Sequence, residues 1–192
     1  SSFSSWGTTP NLAIKPELSA PGGMIYSTQN NDTYSTMSGT SMAAPHAAGG
    51  AALVQQRLKT DALFAGLSAN DRALLSKTLL MNTATTLLDD DGYPFLVRQQ
   101  GAGIMNLAGA LSTEVYVVEK ETGKPKVEFL DTTSTTLSTT LTLTNLSDQD
   151  VTYETSSVML TDYVAPYQNW KLNILSSDFV SHTLDVESVT VP

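Results

Sequence analysis

An α/β segment followed by an antiparallel β-sandwich is the fold class this sequence predicts, with the change of character near residue 112. Three features carry that prediction. Residues 41–59 are an Ala-rich run of helical length. Ser68 and Asp71 make a capping pair ahead of Leu74, Leu75 and Leu79 at helical spacing. Beyond 112 the pattern switches to short β-branched runs broken by Asn, Asp, Gly and Ser.

The elements follow in order. Residues 1–40 are rich in Ser, Thr, Gly and Pro, with short apolar pieces at 12–14 and 24–26, which suggests short strands and loops. In the first helix Gly49 and Gly50 are costly, so they are expected to permit close packing. The second helix begins at Ser68. Residues 84–103 read as a loop holding Asp89-Asp90-Asp91-Gly92 and a Gly101-Ala102-Gly103 turn, and Asn106 caps a short helix through Leu111. Strands are expected at 115–118, 126–130, 136–145, 151–155, 170–174 and 183–191. The clearest is Leu137-x-x-x-Leu141-x-Leu143, with Ser or Thr between, the period-2 pattern of a half-buried strand. The apolar residues of this second region, from Val115 and Val117 to Leu172 and Ile174, are expected to close a sandwich unaided.

Composition removes several function classes. The 192 residues, 41% hydrophobic and 15% charged, fit one or two globular domains. Six Lys/Arg face seven Asp/Glu in 1–112, and four face twelve in 113–192. An acidic second half and a net charge of -9 argue against nucleic acid as a partner; a solvated surface explains them. With no Cys, thiol catalysis and Cys-based metal sites are excluded. The longest low-polarity stretch, 42–54, is too short and too interrupted for a transmembrane segment. The chain opens with neither an initiator Met nor a leader, so it is expected to be a piece of a longer protein.

Chemistry concentrates in Ser38-Gly39-Thr40-Ser41-Met42-Ala43-Ala44-Pro45-His46. A serine at the start of a small-residue helix, directly after a glycine loop, sits before the positive helix end with backbone N–H groups facing outward. Acyl transfer needs both an accessible nucleophile and N–H donors where negative charge develops. Pro45 is read as lying in the first turn, where its missing N–H costs least. On spacing alone the simpler alternative is that Ser41 only caps the helix.

The longer string decides between these. Gly39-Thr40-Ser41-Met42-Ala43-Ala44-Pro45-His46-Ala47-Ala48-Gly49 resembles the nucleophile motif of the subtilisin-like serine proteases, the subtilases. Phe3-Ser4-Ser5-Trp6-Gly7 and Lys15-Pro16-Glu17-Leu18-Ser19-Ala20-Pro21-Gly22 resemble flanking segments of the same family in the same order. Gln100-Gly101-Ala102-Gly103 with Asn106 and Ala108 resembles the end of its catalytic domain. The resemblance is dense over 1–112. More loosely, 113–192 resembles the fibronectin type III-like domain that follows the catalytic domain in lactocepin-type cell-envelope proteinases.

The resemblance implies that 1–112 is the C-terminal portion of a subtilisin-like domain with a mostly parallel sheet, and that 113–192 is a sandwich, whole or cut short at Pro192. It implies that Ser41 is the nucleophile and, through its N–H, an oxyanion donor. It places the Thr40 hydroxyl near the oxyanion site, and Met37 and Ser38 on the leaving-group side of the cleft. The family's Asp, His and oxyanion Asn precede its Ser, and no residue here matches them. The isolated chain is therefore expected to be inactive, with the upstream part of the same domain as its partner. Other implications are a polypeptide substrate and a secreted or cell-envelope location. Calcium is common in the family, but no cofactor or metal site is identifiable.

Neither histidine substitutes by pattern. His46 lies five residues after Ser41, about 140° around a helix, and reads as packed beside it. His182 would require the hydrolase elbow G-x-S-x-G, whose second glycine is missing at Ala43. The Asp89–Asp91 run lacks the alternating ligands of a calcium loop and reads as a solvated turn. Asn31-Asp32-Thr33 and Asn145-Leu146-Ser147 fit the glycosylation pattern, which matters only in a eukaryotic secretory route. Trp6 and Trp170 are expected in cores. The rival reading is non-enzymatic: an envelope binding or spacer module attached to an inactive protease remnant.

Overall fold

In the computed structural model the described residues are 3–164, 171–175 and 183–192. The first ordered unit is a hairpin of β1 (Ile25–Gln29) and β2 (Thr33–Met37), paired Ile25 to Met37 through Gln29 to Thr33. Its turn holds Asn31 and Asp32 at φ 62 and 54, the left-handed pair that suits a tight hairpin. Only the start of β1 was expected from sequence, and residues 12–14 form no strand among the described residues.

Helix α1 (Thr40–Thr60) and helix α2 (Ala69–Asn82) follow. The expected capping box is present: Asp71 N–H donates to the Ser68 hydroxyl at 3.1 Å, and Ser68 N–H donates to the Asp71 carboxylate at 3.3 Å. The loop at 84–103 contains one further helical turn, α3 (Val97–Gln100), and then α4 (Leu107–Ser112), whose start is capped by Asn106 accepting from Gly109 N–H at 3.0 Å. Helices α1, α2 and α4 meet in one core of Val54, Leu58, Phe64, Leu79, Leu80 and Ala110. Gly50 faces Met105: a Cβ there would stand 2.5 Å from the Met105 sulfur. Gly49 faces open space, with nothing within 4 Å of an added Cβ. Close packing thus explains the second glycine and not the first.

The second region contains β3 (Val115–Glu119), β4 (Leu141–Asn145), β5 (Val151–Glu154), β6 (Leu160–Val164), β7 (Lys171–Leu175) and β8 (Ser188–Val191). Among the described residues they pair antiparallel as β3–β4, β5–β8 and β6–β7, three two-stranded ladders. Residues 126–130 and 136–140, expected as strands, are not in ladders. The predicted inward row is also open, with Leu137 at 48% and Leu141 at 51% exposure. Tyr116 and Leu146 instead pack on the helical core, and Val117 N–H donates to Asn82 Oδ1 at 2.7 Å. Trp170 and His182 lie outside the described residues.

Parallel pairing is confined, among the described residues, to a single bridge between Ser19 and Ile104. For the hairpin the physical reason is connection length. A three-residue turn joins β1 to β2, and so short a link permits only antiparallel pairing. A mostly parallel sheet therefore needs strands other than these.

Candidate active site

The site is built by two loops held against each other. Gly39 N–H donates to Gly22 O at 2.8 Å, and Met24 N–H donates to the Ser38 hydroxyl at 2.8 Å. A Cβ on Gly22 would stand 2.7 Å from Gly39 O, so a glycine is needed for the loops to come this close. The contact delivers the chain into α1 with Gly39 as N-cap, and Met42 N–H closes back on Gly39 O at 3.0 Å.

Ser41 is the second residue of α1 and is exposed. It is not the cap, because Gly39 is. Among the described residues its hydroxyl makes no hydrogen bond, and the N–H groups of Thr40 and Ser41 have no acceptor. The helix end adds its positive potential at the same point. Pro45 lies in the second turn rather than the first. It therefore removes the N–H that would have bonded the Ser41 carbonyl four residues back, so both backbone groups of Ser41 are spared by the helix ladder.

A groove of about 550 Å³ opens beside Ser41 between the hairpin and α1, with Ile25, Met37, Met42, His46 and Met105 in its walls. Its hairpin wall runs along β1 from Ile25 to Gln29, Tyr26 and Thr28 included, with Ser35 and Met37 from β2. Met37 is exposed, and Gln29 Nε2 reaches its sulfur at 3.1 Å. Ser38 ties the loops together through its hydroxyl, a structural duty that sequence reading did not assign to it. Thr40 is exposed at the first helical position.

His46 is near Ser41 in the groove wall but is engaged elsewhere. Its Nδ1 lies 2.9 Å from Met42 O, and since a carbonyl only accepts, Nδ1 carries the proton. The Asp89 carboxylate accepts from Asp91 and Tyr93 N–H at 3.1 and 2.8 Å, which closes the acidic run as a turn. Trp6 is exposed, with the Arg98 guanidinium 5.1 Å from its ring centre.

Sequence reading missed the groove and the Gly22–Gly39 contact. Both depend on which hairpin face meets α1. The Asn30-Asn31-Asp32 run between two Thr/Tyr/Ser stretches was the available signal for the hairpin.

An exposed helix-borne serine beside open N–H donors has two of the features that acyl transfer needs. The subtilase family model matches residues 1–103, and the chain belongs to that family. It is 40% identical over 167 residues to the PII-type proteinase of Lactococcus lactis subsp. cremoris, covering 82% of this chain and 9% of that protein. It is 38% identical over 165 residues to the C5a peptidase of Streptococcus pyogenes, covering 85% of this chain and 14% of the relative. The chain thus spans a small part of the curated relatives it matches. Among solved structures, the patellamide maturation protease PatA is similar at 29% identity and TM-score 0.38, over 48% of this chain and 31% of that one. The prenylagaramide maturation protease PagA is similar at 27% identity and TM-score 0.43, over 57% and 36%.

Proposed function

We propose that the complete protein is a serine endopeptidase that forms an acyl-enzyme at Ser41. The observation that carries this reading is Ser41 itself: exposed, free of hydrogen bonds among the described residues, and beside two unengaged N–H groups at a helix start. In the reaction the Ser41 hydroxyl attacks the scissile carbonyl carbon and gives its proton to a histidine base, which an aspartate orients. Negative charge gathers on the carbonyl oxygen, where the Ser41 N–H donates, with the Thr40 hydroxyl close by. Collapse of this adduct breaks the C–N bond, the histidine passes its proton to the leaving amine, and water later hydrolyses the ester. Met37 and Ser38 flank the leaving-group side, Met37 through its side chain and Ser38 by holding the loop.

The base, its aspartate and the oxyanion Asn come from outside these 192 residues. His46 is not read as that base, because its ring is bonded to its own helix and lies about 140° around the axis from Ser41. The upstream part of the catalytic domain is therefore the chain's partner and the isolated chain is inactive. One face of α1, with Ala44, Ala48, Ala52 and Leu53 exposed, is the surface for that partner. The substrate is polypeptide, as the proteinase and peptidase names of its relatives suggest, and the protein works outside the cell or at its envelope. No helix among the described residues is long and apolar enough to cross a membrane. Residues 1–112 belong to the catalytic domain and 113–192 to a fibronectin type III-like domain.

A fluorophosphonate probe tests the central claim, since it needs an activated serine. The complete protein should label at Ser41 and Ser41→Ala should not. A folded complete protein that fails to label, indistinguishable from Ser41→Ala, would favour the non-enzymatic envelope module.

A further inference from the structure

The strand-rich region reaches across to the segment that precedes the nucleophile loop. Lys126 Nζ stands 2.9 Å from Glu17 Oε1 and 2.6 Å from Glu128 Oε1, and Glu128 Oε1 accepts Ile14 N–H at 2.6 Å. Lys126 and Glu17 are only 10% and 17% exposed, so this is not a loose surface pair. Glu17 also holds Lys77 of α2 at 2.8 Å and Lys15 at 2.9 Å, which makes it a junction of three lysines from three parts of the chain. Lys124, 3.9 Å from Glu128, completes the charged set.

From Glu17 the contacts run toward Ser41 without a gap. Glu17 O accepts Ala102 N–H at 3.0 Å, and Ser19 exchanges bonds with Gly103 O at 2.9 Å and Met105 N–H at 2.8 Å. Five residues beyond Glu17, at most about 17 Å of extended chain, Gly22 O accepts Gly39 N–H two residues before Ser41. Residues 14–17 thus lie on the same short segment as the carbonyl on which the Gly39 turn rests.

We propose that the Glu17–Lys126 pair is a positioning element for Ser41, through which the strand-rich region fixes the loop that presents the nucleophile. This rests on the peptidase reading, and it assigns neither residue a contact with substrate. The network holds fully charged partners on three sides of Glu17, and such a part-buried set has geometric demands that a lone surface pair lacks.

The test uses the complete protein with Glu17→Gln, Lys126→Gln, their combination and Lys126→Arg. Two readouts are taken: the fluorophosphonate labelling rate at Ser41, and amide hydrogen exchange over residues 22–43. Glu17→Gln should slow labelling on the order of tenfold and Lys126→Gln severalfold, within the range of couplings carried through packed networks. The double variant should add little to Glu17→Gln, because the two act on one contact. With a peptide substrate, kcat should fall while KM holds, and Lys126→Arg should recover most of the rate. Exchange at residues 22–43 should rise in Glu17→Gln and Lys126→Gln. Wild-type labelling and unchanged exchange in those variants would overturn the proposal and leave the peptidase reading standing. Absence of labelling in the wild type, with exchange still rising in the variants, would overturn the peptidase reading and retain the latch.

Discussion

Residues 1–112 and 113–192 were built by different means. In the first region three helices bury a shared set of side chains, with Val54 at 0%, Leu58 at 1% and Leu79 at 1% exposure. In the second, the described strands pair two by two, and Leu141 and Tyr153 on them are exposed while Val115 and Val191 are buried. Sequence patterning suggested a self-sufficient sandwich beside a dependent helical segment, and among the described residues the second region shows three two-stranded ladders. The difference teaches that alternation in a strand predicts which residues share a face. It does not predict that two such faces will meet. A helix needs only one neighbour along its stripe, whereas a sandwich needs several strands in register before any one of them is covered.

The sharpest way to break that comparison is to truncate one leucine in each region. Leu58→Ala should destabilise by roughly 2–5 kcal/mol, the cost of a cavity in a closed core. Leu141→Ala, at 51% exposure, should stay within about 0.5 kcal/mol. Urea unfolding measures both, and equal losses would mean that the strand region has a core of its own.

A smaller effect is expected at the seam. Gly101 sits at φ 65, and a Cβ there would stand 2.4 Å from the Glu17 carbonyl carbon. Gly101→Ala should cost about 1–3 kcal/mol from strain and displaced backbone. Gly123, at φ 64 with nothing within 4 Å of an added Cβ, should cost less when changed to Ala. Similar losses at both positions would show that the contact with Glu17 is not tight.

Acid should act on the charged contact between the regions. Partial burial opposes ionisation of Glu17, but hydrogen bonds from Lys77, Lys15 and Lys126 prevail and bring its carboxyl from 4.5 to about 2. A depressed carboxyl contributes stability that is present in full above its unfolded value. That stability is lost as pH falls from about 4.5 to about 2. Glu128 moves the same way: hydrogen bonding from Lys126 lowers it, against burial. Burial alone would lower the Lys126 value, but Glu128 and Glu17 raise it, so its contribution holds at neutral pH and fades only in strong base. Thermal unfolding followed through that acid window should show a steeper loss in wild type than in Glu17→Gln. Identical slopes would remove Glu17 from the acid response.

Much of the helical region was legible in the residues. The Ser68–Asp71 pair and the Asn106 cap act through bonds that span three residues, so local sequence states them almost completely. Ser41 was legible for a similar reason, because glycine, small residues and a serine in succession describe a helix start. Residues 126–130 were misread as a strand. Lys126 and Glu128 are held there by Glu17 and Ile14, more than a hundred residues away, and no local pattern carries that information.

By itself the sequence determined the membership in the subtilase family, the helices α1 and α2, the caps Ser68 and Asn106, and the serine that stands at the start of α1. Each of these depends on contacts within a turn or two of chain, or on a string specific enough to be recognised whole. Tertiary structure alone decided that Gly22 supports Gly39, that His46 bonds its own helix, and that Tyr116 and Leu146 pack on the helical core. It also decided that Glu17 collects three lysines from distant positions. The physical reason is range: backbone propensity and capping act over a few residues, whereas burial and ion pairing depend on which distant surfaces the folded chain brings together.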